Sequence, residues 1–404
     1  MRSRRGRNGR MGLRLAGIFL AALLLLFPPL LFQPRKEGGK APVEAVMPPT
    51  REEEIQTFIR IMTLEEQAAQ LFLLTPEAWQ AAGGEALPVG GLIYFSQNIP
   101  APQELKEETA RLQALALDRW GIPLFLSIDE EGGQITRIAG APGFQVPRFP
   151  PLNNISTLEE AYHLGNALGS YLEAYGFNMD FAPVADVWTN PGNTVVRNRA
   201  FSSDPRIVAE LVEGELLGFQ GYQVIPVLKH FPGHGATTGD THDGFAYTGK
   251  DRAALLAWEL IPFQRGIAAG ARAVMVGHFS LPNVLGDGTP ASLSPLIIEE
   301  LLRRDLGFQG LVITDALNMG AITRRYPPEE AAVLALAAGT DLLLMPEDFQ
   351  AAYGGVLEAI RSGRISQERL EQSLFRIFQT KMEALSWQPG EGEDPEGRPL
   401  PETP

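Results

Sequence analysis

The chain has 404 residues, 45% of them hydrophobic and 20% charged, no cysteine, and a formal net charge of −14. This is the composition of a folded protein, and the charge argues against nucleic acid as a partner. Lack of cysteine excludes disulfides, thiol catalysis, Cys-ligated zinc and a lipid-modified N-terminal Cys, and leaves the redox compartment open.

The charge is uneven. Residues 1–40 hold nine Lys/Arg and one Glu, or +8, so the rest carries −22. Arg2, Arg4, Arg5, Arg7, Arg10 and Arg14 precede an almost wholly apolar run, Leu15 to Phe32. As a helix at about 1.5 Å per residue, that run spans roughly 27 Å, close to the bilayer core. The basic flank predicts a cytoplasmic N-terminus and a domain outside the cytoplasm, held to the membrane through residues 15–32. A cleaved signal peptide, giving a secreted protein, is the rival. No small-x-small site directly follows Phe32, and Pro28-Pro29 would kink the helix. Residues 33–50 read as a Pro- and Gly-rich linker and 387–404 as a disordered tail. Residues 51–386 are left as the folded domain.

Within that domain, apolar runs alternate with amphipathic patterns. The runs are Gln70–Thr75, Gly91–Phe95, Pro123–Asp129, Phe177–Asp186, Val224–His230, Ala273–His278, Leu311–Asp315 and Thr340–Met345. Helical spacing covers Gln103–Trp120, Leu158–Tyr175, Pro205–Gly221, Asp251–Gly270, Pro295–Leu306, Pro328–Ala338 and Glu368–Ala384. Pro76–Gly90 looks irregular. Eight strands alternating with helices predict an α/β fold, a single-domain (β/α)8 TIM-type barrel, rather than an open sheet.

Five of the runs end in ionisable groups: Asp129, Asp186, Lys229-His230, His278 and Asp315. In such a barrel the C-terminal strand ends converge on one mouth, where active sites sit. The densest stretch is Lys229-His230-Phe231-Pro232-Gly233-His234-Gly235-Ala236-Thr237-Thr238-Gly239-Asp240-Thr241-His242, with three of the five histidines in the chain. A buried strand does not end in Lys-His for packing, because a desolvated ammonium needs a partner. Asp240 and His242 are two apart, so in extended chain the carboxylate can orient the imidazole and raise its basicity. A plain surface turn is the other reading of that pair, and a helix cap that of Asp315. Gly233, Gly235 and Gly239 are expected to let the loop swing. His234 is expected to brace the loop, His278 to line the pocket, and His163 to be structural.

Lys-His-Phe-Pro-Gly-His-Gly followed by Asp-Thr-His, with Ile-Thr-Asp-Ala-Leu-Asn-Met downstream, resembles the bacterial β-N-acetylhexosaminidases of glycoside hydrolase family three. The resemblance runs from about Thr63 to Met345. It includes Asp129-Glu130-Glu131-Gly132-Gly133-Gln134-Ile135-Thr136-Arg137 and Val196-Arg197-Asn198-Arg199-Ala200-Phe201. Ala200 stands where the family usually has Ser, and Arg197 competes with Arg199 for the same assignment. The resemblance implies a retaining exo-β-N-acetylglucosaminidase of the one-domain branch, acting without a cofactor or metal on cell-wall or chitin-derived saccharides, and expected to be a monomer. Asp315 matches the family nucleophile, and His242 with Asp240 matches the acid/base. Asp129, Arg137, Arg199, Lys229 and His230 match positions that hold the terminal sugar.

Three alternatives remain at this level. His230, His234, His242, His278 and Asp315 are ligand types for a metal-dependent hydrolase, although Lys229 would repel a cation. A catalytically silent, membrane-tethered sugar-binding protein is the second. Phosphate in place of water as acceptor is the third, since a neutral imidazole repels an anion less than a carboxylate does.

Overall fold

The computed structural model describes residues 50–389. The apolar segment at 15–32 lies outside them, and no helix among the described residues is long and apolar enough to cross a membrane.

Eight parallel strands form one sheet: β1 Phe72–Leu74, β2 Gly91–Tyr94, β3 Phe125–Ile128, β4 Met179–Asp180, β5 Ile225–Phe231, β6 Ala273–Val276, β7 Leu311–Thr314 and β8 Leu343–Leu344. Their order is β7-β6-β5-β4-β3-β2-β1-β8. A parallel bridge between Ile313 and Leu342 joins the two ends, so the sheet curls into a barrel. Each predicted run marks one strand, with β5 reaching one residue beyond its run, to Phe231. The strands are buried on both faces, which is why they read as continuous apolar runs without alternation.

The crossover helices follow the predicted spacing at Pro102–Trp120, Leu158–Ala174, Pro205–Gly218 and Pro328–Ala337. Three stretches depart from the expected pattern. Asp251–Gly270 is two helices, Arg252–Ala257 and Ile261–Ala268, broken where Trp258 leaves helical geometry at φ −140°, ψ −75°. Residues Leu296–Asp305 wind as a π-helix rather than an α-helix. Pro76–Gly90 holds a short α-helix, Pro76–Ala81, started by a Thr75 cap and Pro at its first turn, and a 3-10 turn at Gly84–Ala86. The helix Phe349–Arg361, capped by Asp348, had no counterpart in the sequence reading.

The barrel floor is tied by long-range polar contacts. Lys381, fully buried on the last helix, Gln367–Ala384, donates to Gln70 Oε1 at 3.0 Å and Gly90 O at 3.1 Å, and its ammonium lies 4.8 Å over the Phe125 ring. Beside it Asp341 accepts from Arg303, Arg376 and the Val312 amide. Trp387, which composition assigns to the tail, is buried instead. It packs on Phe58 and Phe378 and donates Nε1 to Gly121 O at 2.7 Å.

Candidate active site

The ionisable strand ends meet at the C-terminal mouth. Asp129 and Glu131, two apart, take the same side of the chain after β3. Lys229, at the end of β5, donates to both: Nζ lies 2.7 Å from Asp129 Oδ1 and 2.6 Å from Glu131 Oε1. Arg199 completes the fork, with Nε 2.8 Å and Nη2 2.6 Å from the two Glu131 oxygens. Burial works against the charge on Glu131, but Arg199 and Lys229 outweigh it and hold the carboxyl far below the usual carboxylate range. Burial also opposes the Lys229 ammonium, and Asp129 and Glu131 more than restore it. A buried network of this kind is a weak source of stability, because desolvation consumes most of the attraction. Its geometry suits a site that presents fixed charges to a polar ligand.

Arg137 stands at the rim, 3.6 Å from Asp129 Oδ2 and over the Phe95 ring. Glu130 brings it there. Pointing away from the pocket, Glu130 accepts from the amides of Arg137, Ile138 and Ala139 and from the Tyr171 hydroxyl. It thereby folds the post-β3 loop back on itself. Arg197 is exposed and faces the Trp188 ring, whereas Arg199 is the one paired with Glu131.

His230 is oriented from below. Its Nδ1 donates to Asp186 Oδ2 at 2.7 Å, while the amides of His230 and His234 donate to Asp186 Oδ1. The other ring nitrogen, Nε2, is left toward Arg199 Nη2 at 3.5 Å. Burial pushes Asp186 up, and His230 and His234 pull it below its ordinary value. Burial and His230 lower the His234 ring to about 4, so it is neutral, held between Thr237 and Thr241.

Asp315 follows β7 directly and is half-buried. Its Oδ1 accepts from the Ala316 amide at 2.8 Å. Burial opposes its charge. The His230 and His278 rings, the Ala316 amide and the Lys229 ammonium outweigh burial and hold the carboxyl below its usual range. His278 fixes the adjoining peptide. Its Nε2 donates to Ala316 O at 3.0 Å, and Nδ1 then accepts from Ser292 Oγ at 2.7 Å. Burial lowers its pKa.

His242 lies at the tip of a hairpin. Thr238 and Tyr247 exchange both backbone hydrogen bonds, and the amides of Asp243 and Gly244 close the tip on Asp240 O. Asp240 Oδ1 accepts from both His242 Nδ1 at 2.8 Å and the His242 amide at 2.9 Å. The ring is 63% exposed, with Nε2 as its free edge. The tip rests on the chain just beyond Asp315: Gly320 N donates to His242 O and Ala321 N to Thr241 O. The expected swing at Gly235 is not what this glycine provides. A Cβ there would lie 1.9 Å from Val187 O, so Gly235 is a close-packing position. Gly239, at φ +90°, and Gly244, at φ +151°, supply the backbone freedom in the hairpin itself.

All eight residues assigned from the sequence therefore sit on loops or strand ends of one barrel mouth. Sequence reasoning did not assign Asp186, Glu130 or Glu131. Asp186 did end a predicted strand, and Glu131 shares the i, i+2 side of Asp129; those were the available signals. The imidazole nitrogens of His230, His234 and His278 are each engaged as described. Among the described residues no group of three or more His, Asp or Glu converges as a metal-holding cluster.

A (β/α) barrel mouth that gathers a strand-end carboxylate with buried Lys, Arg and acidic groups, and carries a carboxylate–imidazole pair on a hairpin resting on the segment after that strand, has the layout of a glycoside hydrolase. The model of the glycosyl hydrolase family 3 N-terminal domain matches residues 63–380. The chain belongs to that family. It is 32% identical over 321 residues to beta-hexosaminidase A of Pseudoalteromonas piscicida, covering 72% of this chain but 53% of that protein, about half its length. It is 33% identical over 312 residues to a beta-hexosaminidase of Nitrosomonas eutropha, covering 72% of this chain and 85% of that one. Among solved structures, a family 3 beta-N-acetylglucosaminidase from Paenibacillus sp. superposes with a TM-score of 0.75 at 38% identity, over 80% of this chain and 63% of that one.

Proposed function

We propose that the protein is a retaining exo-β-N-acetylglucosaminidase that removes terminal N-acetylglucosamine from cell-wall or chitin-derived saccharides. The observation that carries this is the pairing of His242 with Asp240 on a hairpin whose tip rests on the segment just after Asp315. The name of the Paenibacillus relative gives the same sugar, and those of the other two give a hexosamine.

In the first step an Asp315 oxygen attacks the anomeric carbon. The bond to the leaving oxygen breaks, and that oxygen takes the proton from His242 Nε2. In the second step water attacks the glycosyl–Asp315 ester, passes its proton to His242 and frees the carboxylate. Two inversions give retention. Family glycosidases usually use two carboxylates; an imidazole can act as acid and then base because its unperturbed pKa of about 6.5 lies near neutrality. Asp240 accepts from Nδ1, which orients the ring and stabilises the imidazolium form that donates the Nε2 proton and is restored when water gives its proton back. Asp129, Lys229, Arg199, Arg137 and His230 supply acceptors and donors for the sugar hydroxyls and acetamido group.

The test is trapping with a 5-fluoro N-acetylglucosaminyl fluoride, followed by peptide mapping. The label is expected on Asp315, with the β-anomer as first product. A label on another residue, or an α-anomer first, overturns the mechanism. Equal turnover in phosphate and phosphate-free buffer is expected if water is the acceptor. We also propose that residues 15–32 hold the enzyme at the membrane with the barrel outside the cytoplasm. The apolar run and its basic flank support this. Recovery of the intact N-terminus in the membrane fraction is expected, and a mature N-terminus beyond Phe32 in the medium would overturn it.

A further inference from the structure

The hairpin that carries His242 leaves two large aromatic side chains in water. Its returning strand alternates strictly: Ala246 is 1% and Thr248 3% exposed, whereas Phe245 is 53% and Tyr247 43% exposed. Residues i and i+2 share a face, and the two rings stack, with centroids 5.7 Å apart and planes 23° from parallel. They form one exposed aromatic patch backed by a built scaffold. Tyr247 bridges to Thr238 on one side and Ser280 on the other, and Ser280 in turn pairs with Pro290. Phe245 and Arg325 approach each other over Gly288, whose carbonyl accepts from Arg325 Nη1.

We infer that Phe245 and Tyr247 form the platform for the leaving-group side of the substrate, taking the apolar face of a second pyranose ring. This rests on the glycosidase reading above. An acid that protonates the departing oxygen lies on the leaving-group side of the scissile bond. Phe245 is three residues from His242, so its backbone lies at most roughly 10 Å away along the chain. A sugar ring stacked there lies on the same hairpin as the acid, within a few residues of it. Flat aromatic surface suits a pyranose because ring C–H groups meet the electron-rich π face. Two such rings would otherwise stay exposed at a cost in unburied apolar area. The leaving group is therefore a saccharide of at least one further ring, either a neutral N-acetylglucosamine unit or an acid-bearing muramic-type unit.

The experiment compares Phe245→Ala, Tyr247→Ala and the double variant with the parent enzyme. The substrates are β-1,4-linked N-acetylglucosamine disaccharide, a disaccharide with a muramic-type reducing sugar, and N-acetylglucosaminyl fluoride, whose leaving group has no ring to stack. Expected is a loss of about tenfold or more in kcat/KM on at least one disaccharide relative to the fluoride, largest for the double variant. Restoration by Phe245→Trp is also expected. Loss on both disaccharides marks recognition of the ring face alone, and loss on one identifies the source of the ring. Equal losses on all three substrates mean that the hairpin was merely displaced and overturn the inference, as does no loss on any. Failure of the parent enzyme to turn over the fluoride and both disaccharides overturns the glycosidase reading instead.

Discussion

Asp186 Oδ2 lies 2.7 Å from His230 Nδ1, and both residues are buried at the mouth although 44 positions separate them in the chain. The carboxylate decides which ring nitrogen carries the proton and so which edge His230 shows to the pocket. It also collects two backbone amides, from His230 and His234.

Asp186→Asn is therefore expected to cut kcat/KM by roughly 10- to 100-fold and stability at pH 7 by about 2–4 kcal/mol. The folded-state pKa of Asp186 is lowered. Its contribution is thus complete above the unfolded value of about 4 and is lost as pH falls through the folded one. Urea unfolding of parent and variant at pH 7, 5 and 3 should show the gap closing only at the acid end. A gap that is constant with pH would show that Asp186 acts through shape alone.

His242→Ala should slow substrates with poor leaving groups by about 10²- to 10⁴-fold and activated aryl glycosides far less. Exogenous azide should restore turnover and yield a β-glycosyl azide, because the second step then needs no base. Asp240→Asn should give a smaller loss with the same leaving-group dependence, since it acts through His242. Equal slowing across leaving groups contradicts the acid role.

Glu215, on the helix Pro205–Gly218, is fully buried and neither carboxylate oxygen has a hydrogen-bond partner among the described residues. Burial pushes its pKa well above the usual value, and Glu131 adds to the push. A raised carboxyl favours the folded state fully below the unfolded pKa of about 4.3, and that advantage fades as pH rises. Glu215→Gln removes this slope. Its melting temperature should gain on the parent between pH 5 and pH 8, each pKa unit being worth about 1.4 kcal/mol. A gap that shrinks over that range would mean that the carboxylate is charged and partnered.

Gly235→Ala would force a methyl group against the Val187 carbonyl beneath the hairpin. We expect a loss of about 3 kcal/mol in chemical unfolding and a matching fall in activity. Gly354→Ala is the control. It lies within the helix Phe349–Arg361, where a Cβ meets nothing within 4 Å, and should gain about 0.5–1 kcal/mol. Similar outcomes for the two would remove the close-packing account of Gly235.

Much of the barrel was legible because its strands are buried on both sides, so each appears as an apolar run with a polar residue where it reaches the mouth. Asp315 is the clearest case: Leu311 to Thr314 are buried and the next residue is not. The helix Phe349–Arg361 escaped because its sequence begins amid Pro and acidic residues after Met345, which read as loop. The break at Trp258 escaped because the apolar spacing on either side of it stays helical.

By itself the sequence determined the alternation of strand and helix, and which ionisable groups end strands, since burial and periodicity are local. It also set the Asp240–His242 pair, whose partners are two residues apart. Only the tertiary structure decided that Glu131 joins Lys229 and Arg199, rather than Arg197, and that Asp186 orients His230. Those partners stand 44 to 98 residues apart in the chain. Whether two such charges meet depends on barrel closure and loop path, which no local pattern encodes.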